Sequence, residues 1–117
     1  MKRILIIEDE KRMREGLKRA LEDLGEVTLC APTDGPMPTK EQAIQMIQQA
    51  DLILLDNNLG RKEYCGEDLI PYCKGKAVIG ISIVCFTHRT FGEKRLVASD
   101  DPEAIGELRN MVLKALG

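Results

Sequence analysis

Five short runs of apolar residues lie along this chain, over residues 2–7, 26–31, 51–56, 77–82 and 95–98. Most of these runs contain consecutive aliphatic residues that do not alternate with polar side chains. Uninterrupted apolar runs of this length are typical of strands that are buried on both faces of a parallel sheet. The pattern therefore predicts five strands, and it allows the fourth to continue through residues 83–86.

Between the strands, apolar residues recur at intervals of three and four, which is the spacing of one buried helix face. This spacing predicts helices over residues 11–24, 39–49 and 68–73, and a last helix that begins at residues 100–103. Gly25 is expected to end the first helix. Thr39 and Gln42 match a capping box at the start of the second helix. Asp68 is expected to cap the third.

The first and last helices each combine an apolar face with a polar face. The predicted apolar face of the last helix consists of Ile105, Leu108, Val112, Leu113 and Leu116. On the first helix, a set of basic side chains is expected to form a solvated outer face: Lys11, Arg12, Arg14, Lys18 and Arg19.

The elements follow the order β-α-β-α-β-α-β-β-α, with only a short link between the fourth and fifth strands. Right-handed crossovers turn this order into a doubly wound parallel sheet of five strands with helices on both faces. Residues 87–94 are polar and allow at most one helical turn, so the fourth helix is expected to be short or missing. The expected fold class is α/β, flavodoxin-like.

Length and composition are those of one ordinary globular domain. The chain has 117 residues, of which 31% are charged and 44% hydrophobic, and a formal net charge of −2. That charge produces no general attraction to nucleic acid or to an anionic membrane. No apolar run is as long as a membrane span, and the amino terminus lacks the apolar region of a signal peptide. We therefore expect one cytoplasmic domain over residues 1–117, with no output domain.

Three of the predicted strands end in side chains that can bind a metal or a phosphoryl group. Glu8 and Asp9 follow the first strand, Asp56 follows the third, and Ser82 ends the fourth. Open α/β sheets bind their ligands at the carboxyl ends of their strands. A purely structural alternative is that Asp56 caps its strand and that the acids at residues 8–10 only favour the start of a helix.

Clustered carboxylates repel one another and therefore favour a bound cation. An all-oxygen ligand set indicates a hard ion, Mg²⁺ or Mn²⁺. With the ion shielding the incoming charge, Asp56 can act as a nucleophile that forms an aspartyl-phosphate, and Ser82 can donate to the phosphoryl oxygens.

Three motifs in the sequence resemble those of the receiver domain of two-component response regulators. They are Ile-Ile-Glu-Asp-Glu at residues 6–10, Leu-Leu-Asp-Asn-Asn-Leu at residues 54–59 and Gly-Glu-Asp-Leu at residues 66–69. The resemblance covers about the whole chain and is strongest over residues 1–24 and 51–82.

The resemblance implies a role for particular residues. It assigns Mg²⁺ binding to Glu8 and Asp9, together with Asp56 and the backbone carbonyl of Asn58. It makes Asp56 the phosphoacceptor. The hydroxyl residue that contacts the phosphoryl group best matches Ser82, and Thr87 is a weaker candidate if the fourth strand is long.

The sequence also departs from the receiver pattern. Gly60 stands where receivers usually carry a proline, which predicts a different loop after Asp56. The lysine that receivers carry at the end of the fifth strand is missing from residues 97–99, and Leu96 and Val97 replace the expected aromatic residue. Phosphorylation at Asp56 is therefore compatible with the loss of the usual signal relay.

The resemblance implies a stand-alone receiver, phosphorylated on Asp56 by a histidine kinase or phosphotransfer protein in a phosphorelay. Its output would be contact with an unknown downstream protein. It would be a monomer or weak dimer that binds neither nucleic acid nor membrane directly. It would not be an enzyme beyond self-phosphorylation and self-dephosphorylation.

Two other functions are compatible with the same residues. The first is a degenerate receiver that acts as a phosphorylation-independent interaction module, which the missing lysine favours. The second is an unrelated Mg²⁺-dependent phosphohydrolase or nucleotide binder. The second is disfavoured because no Gly-rich phosphate loop follows the first strand.

Overall fold

Four parallel strands form one sheet in the order β2-β1-β3-β4. They are β1 (Arg3–Ile7), β2 (Glu26–Leu29), β3 (Leu52–Leu55) and β4 (Ala77–Gly80). These strands belong to a computed structural model that describes residues 1–32, 34–81 and 102–117. Leu55 pairs with Ile7 on one side and with Gly80 on the other, so β1, β3 and β4 end at the same level.

Helices cover both faces of this sheet. They are α1 (Lys11–Leu21), α2 (Lys40–Gln49), a 3₁₀ helix (Gly66–Cys73) and α3 (Pro102–Leu116). One core packs the sheet against α1 and α3, and the other packs it against α2 and the 3₁₀ helix. Successive strand residues alternate between the two cores: Ile53 and Leu55 face α2, whereas Leu52 and Leu54 face α1. The central strand β3 is covered on both faces and all four of its residues are apolar and buried, whereas the edge strand β2 alternates exposed and half-buried residues.

This architecture confirms the predicted α/β fold with a doubly wound parallel sheet. The predicted fifth strand at residues 95–98, the extension of the fourth strand and the link at residues 87–94 lie outside the described residues. Each helix in the described ranges is too short or too polar to cross a lipid bilayer.

The end of α1 differs from its prediction, because the helix stops at Leu21 and Glu22 is its C-cap. Position 25 instead requires a glycine because the chain there passes very close to the residues at the start of β1. A Cβ atom on Gly25 would lie 2.8 Å from the carbonyl oxygen of Lys2 and 3.0 Å from Cδ1 of Ile4. Gly25 thus lets the chain enter β2 directly alongside β1.

The start of the 3₁₀ helix also differs from its prediction. The N-cap is Cys65, and Asp68 is the third residue of the helix. The carboxylate of Asp68 accepts a hydrogen bond from the backbone N–H of Cys65 at 2.9 Å. Asp68 therefore stabilises the helix start from inside the first turn and does not precede it.

The prediction of the apolar face of α3 is wrong for one residue. Leu108 and Val112 are buried against the sheet, but the side chain of Leu113 is exposed. Met111 and Ala115 pack against the core as partly buried residues. The helix is therefore rotated slightly from the orientation that its periodicity predicts.

The capping box of α2 forms as predicted and leads to a stability prediction. Oγ1 of Thr39 accepts from the N–H of Gln42 at 3.2 Å, and Oε1 of Gln42 accepts from the N–H of Thr39 at 2.9 Å. We expect Thr39→Ala to lower the free energy of unfolding in urea by about 1 kcal/mol, because the N–H of Gln42 loses its hydrogen-bond acceptor. Thr39→Ser keeps the cap and should stay close to wild type. Equal stabilities for all three proteins would contradict the prediction.

Candidate functional site

Three carboxylates come together at the carboxyl edge of the sheet. Glu8 and Asp9 directly follow β1, and Asp56 directly follows β3. The N–H of Asp56 donates to the carbonyl oxygen of Ile7 at 2.9 Å, which continues the pairing of the strands and places Glu8 beside Asp56. One ligand oxygen from each carboxylate lies within 4.8 Å of the others. Glu8 and Asp56 are buried, whereas Asp9 is exposed, so the cluster has a buried floor and one side open to solvent.

Burial and mutual repulsion make this cluster electrostatically unfavourable as three anions. Burial of its carboxyl group, together with the adjacent carboxyls of Asp56 and Asp9, raises the pKa of Glu8 to about 10. Glu8 therefore keeps a proton at neutral pH when no cation is present. A divalent cation would neutralise more negative charge than that proton does and would displace it.

Backbone N–H groups orient two of the carboxylates. Oε2 of Glu8 accepts from the N–H of Asp9 at 2.9 Å, and Oδ1 of Asp56 accepts from the N–H of Asn57 at 2.8 Å. The atoms of the cluster that can bind a metal are carboxylate oxygens, which suit Mg²⁺ or Mn²⁺ and not a soft metal. Glu8, Asp9 and Asp56 therefore fit the ion that the sequence predicts.

The loop after Asp56 follows a path that a proline could not adopt. Gly60 has a φ of +70°, whereas the ring of proline holds φ near about −65°. Oδ1 of Asn58 accepts from the N–H of Gly60 at 3.1 Å, which tightens the turn. A Cβ atom on Gly60 would lie 3.5 Å from Oδ2 of Asp9, so the loop passes next to the cluster. The metal-binding role of the Asn58 carbonyl stays a prediction.

Gly66 packs directly against the backbone of Asp56. A Cβ atom at position 66 would collide with the carbonyl oxygen of Asp56 and would lie 2.8 Å from its carbonyl carbon. The N–H of Gly66 donates to the carbonyl oxygen of Asn57 at 2.7 Å, and Oδ1 of Asn57 accepts from the N–H of Glu67 at 2.8 Å. The start of the 3₁₀ helix thus fixes the main chain on which Asp56 stands.

Arg14 is buried, which corrects its predicted place on the solvated face of α1. Its Nη1 donates to the carbonyl oxygens of Glu8 at 3.0 Å and Asp9 at 2.9 Å. Sequence reasoning missed this residue because it classed all the basic residues of α1 together. Leu17 and Leu21 lie three and seven positions after Arg14, and this helical spacing is the signal that would have placed it on the buried face.

Several residues that the sequence assigned to the site lie outside the described residues. They are Ser82 and Thr87, the two candidates for the phosphoryl contact, and the stretch 97–99 where the lysine is missing. Their roles stay predictions. Of the predicted site residues that the structure describes, it brings Glu8, Asp9 and Asp56 into one cluster.

Comparisons with known proteins identify the fold. Neither a protein-family model nor a curated protein matches the chain. Among solved structures, the BeF3-activated DrrB receiver domain is similar with a TM-score of 0.72 and 17% sequence identity, over 99% of this chain and 97% of that one. The MaeR response regulator bound to beryllium trifluoride is similar with a TM-score of 0.53 and 20% identity, over 95% of this chain and 99% of that one.

A third similar structure is a fusion that carries a trimeric coiled coil of yeast Spc42. It has a TM-score of 0.61 and 21% identity, over 98% of this chain and 80% of that one. At these identities the likeness concerns the fold. The chain has the fold of the receiver domains of response regulators.

Proposed function

We propose that this chain is a response-regulator receiver that accepts a phosphoryl group on Asp56. The observation that carries the proposal is the position of Asp56, buried beside Glu8 and Asp9 at the carboxyl edge of a receiver-type sheet. The phosphodonor would be a histidine kinase or phosphotransfer protein, and the output would be contact with a downstream protein. The domain would work in the cytoplasm, as a monomer or weak dimer.

The chemistry requires one oxygen of Asp56 to attack the phosphorus atom of the donor. The P–N bond to the donor histidine, or the P–O bond of a small acyl phosphate, breaks as the aspartyl-phosphate bond forms. The hydrogen bond from Asn57 to Oδ1 fixes the orientation of the carboxylate before the attack. When bound, Mg²⁺ would shield the charge of the incoming group. Glu8, Asp9, Asp56 and the Asn58 carbonyl would hold the ion, with Ser82, or more weakly Thr87, as a hydroxyl donor.

A degenerate receiver that works without phosphorylation is the second candidate. The observation that favours it is the missing lysine at residues 97–99, together with the non-proline path of the loop at Gly60. Under this alternative the acidic cluster would form part of a surface that binds a partner protein, and Asp56 would not be phosphorylated. An unrelated phosphohydrolase or nucleotide binder is a third and weaker candidate, which turnover of a phosphate ester in Mg²⁺ would favour.

The proposed function is tested by intact-mass spectrometry after incubation with acetyl phosphate and Mg²⁺. We expect the wild-type protein to gain one phosphoryl group and Asp56→Asn to gain none, because the amide is not a nucleophile for this reaction. Asp34→Asn, which changes an exposed carboxylate outside the cluster, is the matched control and should be labelled like wild type. Labelling of Asp56→Asn at the wild-type level would refute the assignment of the phosphoacceptor.

A second measurement separates a working receiver from a degenerate one. Beryllofluoride with Mg²⁺ mimics the phosphoryl group, and the proposed function predicts NMR shift changes that extend beyond residues in contact with Asp56. Changes confined to the acidic cluster, together with no labelling by acetyl phosphate, would favour the degenerate receiver.

A further inference from the structure

Arg14 is a buried cation for which the structure provides no carboxylate partner among the described residues. Within the described ranges, the buried charged side chains are Glu8, Arg14 and Asp56. Among the described residues, Arg14 donates to three carbonyl oxygens and, at 3.9 Å, to the sulfur of Met37. Taking a guanidinium out of water carries a large desolvation penalty, which is offset only when the charge is well paired and hydrogen-bonded. A fold that needed only a helix-to-sheet contact at this position would be served better by an apolar residue.

The contacts of Arg14 act on the main chain of two residues of the acidic cluster. A single nitrogen, Nη1, donates to the carbonyl oxygens of both Glu8 and Asp9. These bonds fix the two successive peptide planes that follow Glu8 and Asp9, and hence the directions in which their side chains leave the backbone. The Nε atom of Arg14 is buried and has no hydrogen-bond partner in the part of the chain that the structure describes. In this orientation Nη1 and Nη2 of the guanidinium bond to carbonyl oxygens, whereas Nε does not.

The other end of the guanidinium fork is tied to the segment between β2 and α2. Nη2 of Arg14 donates to the carbonyl oxygen of Pro32 at 3.3 Å. Two side chains of the loop that follows Asp56 also bond to this segment. Nη1 of Arg61 donates to the carbonyl oxygen of Met37 at 3.0 Å, and the hydroxyl of Tyr64 donates to that of Pro38 at 2.7 Å. These contacts to Pro32, Met37 and Pro38 thus join the two loops that carry the carboxylates.

We propose that Arg14 is a positioning residue that sets the carboxylates of Glu8 and Asp9 for binding a divalent cation, with the carbonyl oxygen of Pro32 as its anchor. The proposal rests on the metal-binding part of the proposed function. The planar guanidinium provides donors on two terminal nitrogens at a fixed separation, which suits carbonyl groups on two different loops. A lysine ammonium keeps the charge but cannot span both loops with that geometry.

The test compares Arg14→Met with Arg19→Met, which removes the same charge from the exposed side of the same helix. The Mg²⁺ dissociation constant is measured by titration calorimetry at a temperature where circular dichroism shows both proteins folded. We expect Arg14→Met to bind Mg²⁺ about 10-fold to 100-fold more weakly, as is typical when a group that orients metal ligands is removed. Arg19→Met should bind like wild type.

A merely structural role would lower the melting temperature of Arg14→Met and leave the Mg²⁺ affinity of its folded form unchanged. If Arg14→Met does not fold, Arg14→Lys replaces it, and we expect it to fold and still bind Mg²⁺ about 10-fold more weakly. Wild-type affinity in a folded Arg14 variant overturns the proposal, as does a wild-type protein that binds no Mg²⁺. A wild-type protein that binds Mg²⁺ but is not labelled by acetyl phosphate refutes only the phosphoacceptor function.

Discussion

Gly66→Ala is expected to lower the free energy of unfolding by about 3 kcal/mol and to abolish phosphoryl transfer to Asp56, because overpacking against backbone cannot be relieved by a rotamer change. The added methyl group would collide with the carbonyl oxygen of Asp56 and would lie 2.9 Å from Cα of Asn57. Relief requires the 3₁₀ helix to move away from the end of β3. That movement would break the hydrogen bond from the Gly66 N–H to the carbonyl oxygen of Asn57 and displace the carboxylate of Asp56.

The measurement is urea unfolding followed by circular dichroism, combined with labelling by acetyl phosphate. Gly106→Ala is the matched control, because Gly106 lies within α3 and a Cβ atom there would meet nothing within 4 Å. We expect this control to stabilise the protein by about 0.8 kcal/mol, since alanine loses less backbone entropy than glycine in a helix. A Gly66→Ala protein that is as stable and as readily labelled as wild type would show that the described packing of Gly66 on Asp56 is wrong.

Glu8→Gln is expected to make the metal-free protein more stable than wild type above neutral pH. The pKa of Glu8 is about 10 in the folded chain, against an ordinary value of 4.5. Between these values the folded state binds one more proton than the unfolded state, so the stability of wild type falls as pH rises. The loss should be on the order of 1 kcal/mol per pH unit. Glutamine is uncharged, so it removes this dependence.

The pH prediction is measured by urea unfolding in a chelator at pH about 5.5 and about 8.5, chosen to lie between the two pKa values. The stability difference between Glu8→Gln and wild type should increase in favour of the variant at the higher pH. Glu22→Gln, which changes an exposed carboxylate, should keep a constant difference from wild type. A constant difference for Glu8→Gln as well would contradict the prediction.

Mg²⁺ should make wild type more stable than Glu8→Gln, which reverses the order expected in the chelator. In wild type a bound cation would displace the proton of Glu8 and offset the repulsion within the cluster, so stability at the higher pH should rise with Mg²⁺ concentration. Glu8→Gln lacks one anionic ligand and should gain much less. Calorimetry in buffers of different ionisation enthalpy should detect about one proton released per Mg²⁺ bound by wild type near neutral pH.

For the residues that the structure describes, the apolar pattern of the sequence was enough to predict the strands, the helices and their order. The aliphatic runs at β1 and β3 predict strands covered on both faces, and the bonds of the capping box at Thr39 form between neighbours in sequence. The order of elements makes the sheet parallel, and a parallel sheet brings the residues after its strands to one edge. Glu8, Asp9 and Asp56 could therefore be placed together before any coordinate was known.

Tertiary structure decided the features that depend on contacts between segments far apart in the chain. Gly25 meets Lys2, and Gly66 meets Asp56, so neither role is visible in the residues next to them in sequence. Arg14 turns inward because carbonyl groups from two loops converge on its guanidinium, although its neighbours on α1 include solvated basic side chains. The raised pKa of Glu8 has the same origin, since it requires burial by the whole fold and the approach of Asp56 from another strand. Local sequence specifies which residues stand at the edge of the sheet, and only the packing around them specifies their charge and orientation.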